Sequence, residues 1–225
     1  MKLYYHPVST TSRPVVMFAA EHSIALDYQL VDLFTGEHLQ PAFTALNPNQ
    51  SVPMLEDGDF RLTESSAILK YLADHVGSPA YPSDLRRRAR INERMDWINT
   101  SLSREFGYGF VYPQVMPTHK RADGHVQLQT IAWGRDKARR WLKVLDENIL
   151  GQDNRYVCGN DVSIADHLAI AHVSLGEIVR VDFTQWPNVA RWIARMKDRE
   201  HWASTNGAFY QYLVQPCAEV PFERL

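Results

Sequence analysis

The sequence predicts an α+β protein in two parts, a small mixed-sheet domain followed by an all-α domain. Three observations carry that expectation. The first eighty or so residues alternate strand-like and helical runs. Gly77-Ser78-Pro79, with Pro82 beyond, then breaks the pattern. Past Asp84 every periodic segment has helical spacing. At 225 residues the chain is long enough for one large domain or two small ones. The expected division is residues 1–78, a linker at 79–86, and a helical part at 87–225.

Lys2 to Tyr5 is a short strand ended by Pro7. The hydroxyl-rich Ser9 to Ser12, then Pro14 and an apolar run through Val15, Val16, Phe18 and Ala19, form a helix start. Tyr28 to Leu33 reads as a second strand, and Gly36 to Asn47 as a loop with a weak helix. Val52 to Leu55 is a third strand, turned by Asp57-Gly58 into a partner at Phe60 to Leu62. Thr63 to His75 is a helix, with Ile68, Leu69, Tyr71 and Leu72 at helical spacing. Strands joined through a helix can run parallel, while a two-residue turn makes the last pair antiparallel. The order βαβαββα is that of a thioredoxin-like N-terminal domain.

In the second part, Ile91, Met95, Ile98 and Leu102 form one apolar stripe. Trp141, Leu142, Leu145 and Ile149 form another, and Val189, Trp192, Ile193 and Met196 a third. Ser163 to Val179 is apolar on nearly all sides and reads as a buried central helix. Ser163 and Asp166 stand as a capping box at its start, with Val162 placed for a hydrophobic staple. Their role is therefore expected to be in folding. The last dozen residues read as an irregular tail.

Composition excludes several classes. The net charge of -2, from 24 basic and 26 acidic residues, offers no field for nucleic acid or an anionic membrane. Arg86, Arg87, Arg88 and Arg90 accordingly read as a solvated or subunit-facing helix start. No run of about 18 apolar residues is present to span a membrane. The start MKLYYHPVST has no apolar run before Pro7, so no signal peptide is expected. Two distant cysteines, Cys158 and Cys217, fit a reducing cytoplasm better than a disulfide framework. His167 and His172 lie five apart, which does not suit a metal pair on one helix face, and no metal is expected.

The chemistry concentrates in the first part. A helix start presents free N–H groups and partial positive charge, which favour an anion such as a thiolate. A hydroxyl just before the helix can donate to that thiolate and keep it ionised. Ser9, Thr10, Thr11 and Ser12 are all candidates, and each is also an ordinary cap. Thioredoxins and glutaredoxins place a nucleophilic Cys at this turn, but this chain has none before Cys158. Any thiol used here must come with a ligand. Asn49-Gln50-Ser51-Val52-Pro53-Met54 suggests a cis proline that leaves the Val52 backbone free to pair with an extended peptide; a trans proline opening an edge strand is the other reading. Glu64 and Ser65 open a long helix, where they serve either to hold a ligand's ammonium and carboxylate groups or merely to cap.

In this order and spacing, Tyr4-Tyr5-His6-Pro7-Val8-Ser9, Gly36-Glu37-His38, Asn47-Pro48, Val52-Pro53 and Glu64-Ser65 resemble the N-terminal domain of glutathione transferases. The likeness is to serine-type classes such as delta and theta and their bacterial relatives, including dehalogenating members. The Gly159 to Asp166 segment resembles the N-capping box of the family's buried helix, so both halves are covered. The resemblance implies that Ser9 hydrogen-bonds the glutathione thiolate and that Val52 pairs with the cysteinyl part, with Pro53 in cis. Glu64 and Ser65 then hold the γ-glutamyl end, and His38 and Gln50 lie near the glycyl carboxylate. Gln50 stands where several relatives have His or Lys, and Ser66 where delta-type members often carry Arg. The aromatic run from Phe106 through Tyr108 to Tyr112 falls where the family holds a small hydrophobic electrophile, with Phe209 and Tyr212 placed to close the pocket; core packing is the alternative. The activity implied is cytoplasmic detoxification by a homodimer that conjugates glutathione to an apolar electrophile. Glutathione-dependent dehalogenation, peroxide reduction and a non-catalytic assembly role are the rivals.

Overall fold

A computed structural model describes all residues, 1–225. Its N-terminal part is a four-stranded sheet in the order β2-β1-β3-β4, formed by β1 (Lys2–Tyr5), β2 (Asp27–Leu30), β3 (Met54–Asp57) and β4 (Phe60–Leu62). β2 runs parallel to β1 through the intervening helix α1 (Ser12–Glu21), whereas β3 and β4 are antiparallel to their neighbours. The mixed sheet therefore forms as expected, but two strands differ in extent. β2 stops at Leu30 because Asp32 turns its carboxylate onto the N–H groups of Phe34 and Thr35, closing a turn in place of a ladder. β3 begins at Met54, since Pro53 has no N–H to give and the carbonyl of Val52 is taken by Thr11.

One turn of helix, α2 (Pro41–Thr44), and α3 (Ser65–His75) complete this part. Glu64, at φ 66°, stops the backbone from continuing α3 toward Thr63. Beyond it, Arg88 ties the connecting segment down. Its guanidinium reaches Asp74 at 2.6 Å and the Pro82 carbonyl at 2.8 Å, and stacks over Tyr81. The basic run thus has a local structural use.

Six further helices follow. α4 (Leu85–Trp97) starts on the Asp84 cap and continues through wide π-type turns, Ile98–Val111, into α5 (Tyr112–Val115). α6 (Gly124–Val144), capped by Asp123, also widens at its end over Leu145–Leu150. It crosses the π-type stretch at two glycines. A Cβ at Gly134 would fall inside the Gly109 carbonyl, so only glycine permits this approach.

α7 (Ile164–Val173) is the central helix, with every residue buried. Asp166 closes the capping box by accepting from the Ser163 N–H and hydroxyl at 2.9 and 2.8 Å. Its other oxygen takes the Val157 N–H and the Trp192 indole N–H. The helix ends six residues sooner than expected. Its axis tightens over Ser174–Glu177, where Gly176 lies against Phe106 and Phe183 with no room for a side chain. α8 (Pro187–Lys197) and α9 (Trp202–Phe209) finish the bundle. Leu3, Phe18, Leu55 and Leu69 from the sheet half join Ile98, Phe110, Leu168 and Trp192 in one continuous core.

Candidate active site

Two segments that are 41 positions apart meet at the N-terminal end of α1. β1 delivers the turn Pro7 to Thr11, and its antiparallel neighbour β3 follows directly on Val52 and Pro53. The Thr11 hydroxyl donates to the Val52 carbonyl at 2.8 Å and fastens them together. The Val52–Pro53 bond is cis. The Val52 side chain packs with Val31 and Phe43 in a small cluster of its own.

The four candidate hydroxyls have different surroundings. Ser12 is fully buried and accepts from the His6 N–H. Thr10 is buried and shares a 3.1 Å hydrogen bond with the Tyr112 phenol. Thr11 has given its proton to Val52. Ser9 is half-buried, and its Oγ accepts the Ser12 N–H at 3.2 Å while lying 3.1 Å from the Thr11 oxygen. With the Thr11 proton committed, Ser9 donates in that pair, so its proton is the one free to turn toward another acceptor. Its carbonyl also takes the N–H of Ser12 and Arg13. Capping and presentation of a hydroxyl thus fall on one residue. No acidic side chain occupies the first turn of α1 to offset the positive end of the helix.

The other expected residues lie on separate segments, His38 and Gln50 in turns and Glu64 and Ser65 at the head of α3. Gln50 and Glu64 are both exposed and both adopt positive φ, 55° and 66°. Such non-glycine backbones cost on the order of 1–3 kcal/mol and gather at ligand clamps. Gln50 is held by a turn in which Asn47 accepts its N–H and donates to the Ser51 carbonyl at 2.7 Å. Glu64 makes no ion pair, and the Ser65 hydroxyl at the head of α3 has no partner. His38 sits in the short turn Glu37–Leu39, its Nδ1 buried and unpaired. Ser66 accepts from Asn99, which joins this corner to the helical half.

The aromatic run divides by burial. Tyr108 is 56% exposed and stands edge-on to Tyr112, with ring centroids 4.9 Å apart. His119, which no motif singles out, packs against both rings at about 5.5 Å. Burial pushes the Tyr112 phenol up to about 12, so it keeps its proton at neutral pH. Phe106 has no accessible surface and faces Gly176, so it lines nothing that a ligand could reach. Phe209 is likewise buried, beneath the Arg13 guanidinium, and closes no pocket. Tyr212 remains exposed and stands near Phe34. A groove of about 590 Å³ lies elsewhere, lined by Arg86, Arg90, Cys158 and Asp161.

A four-stranded mixed sheet with a hydroxyl, and no cysteine, at the head of its first helix, joined to a helical bundle, defines a thioredoxin-like class of two-part proteins without a thiol at that turn. The sequence comparisons make the class specific. Residues 1–74 match the sequence family of the glutathione S-transferase N-terminal domain, and residues 114–200 that of the C-terminal domain. Glutathione S-transferase theta-1 of Homo sapiens is 34% identical over 201 residues, 88% of this chain and 82% of that protein. The chain belongs to the glutathione transferase family. Among solved structures, human glutathione transferase theta-2, in complex with glutathione and an unknown ligand, superposes with a TM-score of 0.85 at 29% identity. That match covers 100% of this chain and 93% of the other. A delta-class glutathione transferase from Nilaparvata lugens gives 0.78 at 30% identity, covering 96% of this chain and 98% of that one.

Proposed function

We propose that the protein conjugates the thiolate of glutathione to an apolar electrophile, with Ser9 donating the hydrogen bond that keeps the sulfur ionised. The observation that carries this reading is the Ser9 proton. Two of its three neighbouring hydroxyls are buried and the third is committed to Val52. The head of α1 adds its partial positive charge, so the thiol's proton leaves to solvent at lower pH than it does from the free tripeptide. The enzyme then contributes ionisation and proximity, while the nucleophile belongs to the cosubstrate.

Residues 1–78 serve the tripeptide in this reading. Val52, next to Pro53, pairs its free N–H with the cysteinyl backbone, and Glu64 and Ser65 take the γ-glutamyl end. His38 and Gln50 face the glycyl carboxylate. The helical residues 87–225 serve the electrophile through Tyr108 and Tyr112, whose perpendicular rings offer an apolar shelf. The protein is read as a homodimer of the 25.9 kDa chain, and sedimentation at twice that mass checks it.

Purified protein mixed with glutathione and a haloaromatic electrophile should deplete thiol and form the thioether. Halide released from haloalkanes, or oxidised glutathione formed from hydroperoxides, without any thioether would replace conjugation by dehalogenation or peroxide reduction.

A further inference from the structure

α1 carries a charge that nothing on the protein matches. Arg13 is 2% exposed, and its guanidinium has no carboxylate within ion-pair distance. Three neutral acceptors hold it instead: Asn206 Oδ1 at 2.8 Å, the Ala171 carbonyl at 3.0 Å and Ser174 Oγ at 3.2 Å. The face of Phe209 covers it at 3.9 Å. Its Nε finds no partner at all.

The surrounding titratable groups do not supply the missing anion. From α7, His172 is buried without a hydrogen bond, and burial pushes it down to about 4, so it is neutral. Glu177 is already paired with Lys197 at 2.8 Å. Tyr112 and Tyr210 are phenols raised by burial and stay protonated. Burial draws Arg13 itself down only to about 10, which leaves it charged at neutral pH. A buried unpaired ion is among the costliest arrangements in a fold, and apolar residues of similar volume often replace buried ions without loss. Its placement is the clue. Arg13 is the second residue of α1, its N–H bonded to the Ser9 carbonyl at 3.0 Å, so the charge adds to the positive end of the helix.

We propose that Arg13 is a positioning residue for the sulfur: its buried, unmatched charge favours the ionised form of a thiol held at Ser9, and that thiolate is the counter-charge the fold leaves out. The inference rests on the reading of Ser9 given above. The guanidinium is buried, so solvent screens its charge weakly. Arg13 touches neither the sulfur nor the electrophile. Its side-chain bonds also tie α1 to α7 and α9, so a purely structural role is the competing account.

The thiol of bound glutathione, titrated through its thiolate ultraviolet absorbance, separates the two. Arg13→Gln removes the charge. Arg13→Lys keeps it. Asn206→Asp leaves the guanidinium in place and sets a carboxylate against it. The expected result is a midpoint raised by about one pH unit in Arg13→Gln and Asn206→Asp, the effect of a unit charge within the same few helical turns. Arg13→Lys should stay within a few tenths of wild type. Should Arg13→Gln fail to fold, Asn206→Asp alone decides. Loss of stability with an unmoved midpoint overturns the proposal and leaves Arg13 as a tie between helices. A wild-type thiol that titrates like the free tripeptide overturns the glutathione reading itself, and this inference with it.

Discussion

The two ends of α1 cross into the helical half with opposite charge and opposite treatment. At the C-terminal end, Glu21 is buried between His167, at 2.8 Å, and Arg199, which binds both carboxylate oxygens at 2.6 and 2.7 Å. At the N-terminal end, Arg13 meets only neutral groups. One end is saturated and the other is left open. The matched end holds the two halves of the chain together, whereas the unmatched end keeps its charge for something the protein does not contain.

Substitutions at the two ends should therefore part stability from activity. The largest effect is expected from Glu21→Ala, which removes the buried carboxylate shared by His167 and the half-buried Arg199 and should cost about 3 kcal/mol. In a chain of this length that is a Tm lower by roughly 10 °C. The rate per folded molecule should be unchanged, so calorimetry beside kcat reads both. A rate that fell with stability would break the comparison.

At the other end, Ser9→Ala should lower the conjugation rate by about 10²–10³-fold, the usual effect of losing one positioned donor. It should cost only about 1 kcal/mol in stability, through the lost cap on Ser12. A variant with full rate would move the donor elsewhere in the turn.

The pH dependence of stability belongs to the matched end. Burial alone would raise the Glu21 carboxyl, but the bonds from His167 and Arg199 outweigh it and hold it at about 2, against an ordinary 4.5. A group depressed in the folded state stabilises above its unfolded value and loses that contribution as pH falls through its folded value. Roughly 3 kcal/mol should thus be complete above about pH 4.5 and vanish toward pH 2. Denaturant midpoints at stepped pH should show the loss, and Glu21→Gln should flatten it. The smallest effect is expected from Thr10→Val, which removes the hydrogen bond to Tyr112 for about 1 kcal/mol. The thiol midpoint should not move, because Thr10 is turned to Tyr112.

The sequence made most visible what is fixed by neighbours along the chain. The Ser163–Asp166 box, the strand order and the apolar stripe from Ile91 to Leu102 depend on spacings of a few residues, and the structure contains them. Lost were features decided by distant partners. Nothing local says that Phe106 faces Gly176 and Phe209 faces Arg13, or that α7 must tighten at Ser174 to fit between two phenylalanines. Arg13 is the sharpest case. It stands among apolar neighbours in α1, where an arginine ordinarily reaches solvent, and only the approach of α7 and α9 encloses it. The Ser9 turn was half visible. Spacing brought out four hydroxyls, and choosing among them took Val52 and Tyr112, one 41 and the other 102 positions away.

The contact between Gly109 and Gly134 bears on how the proposed electrophile site can diversify. Tyr108 and Tyr112 flank a crossing where two backbones already touch, so the helices form a rigid beam beside the two rings. New ligand preferences can arise by exchanging the side chains that the beam displays. They cannot arise by prising it open or squeezing it shut.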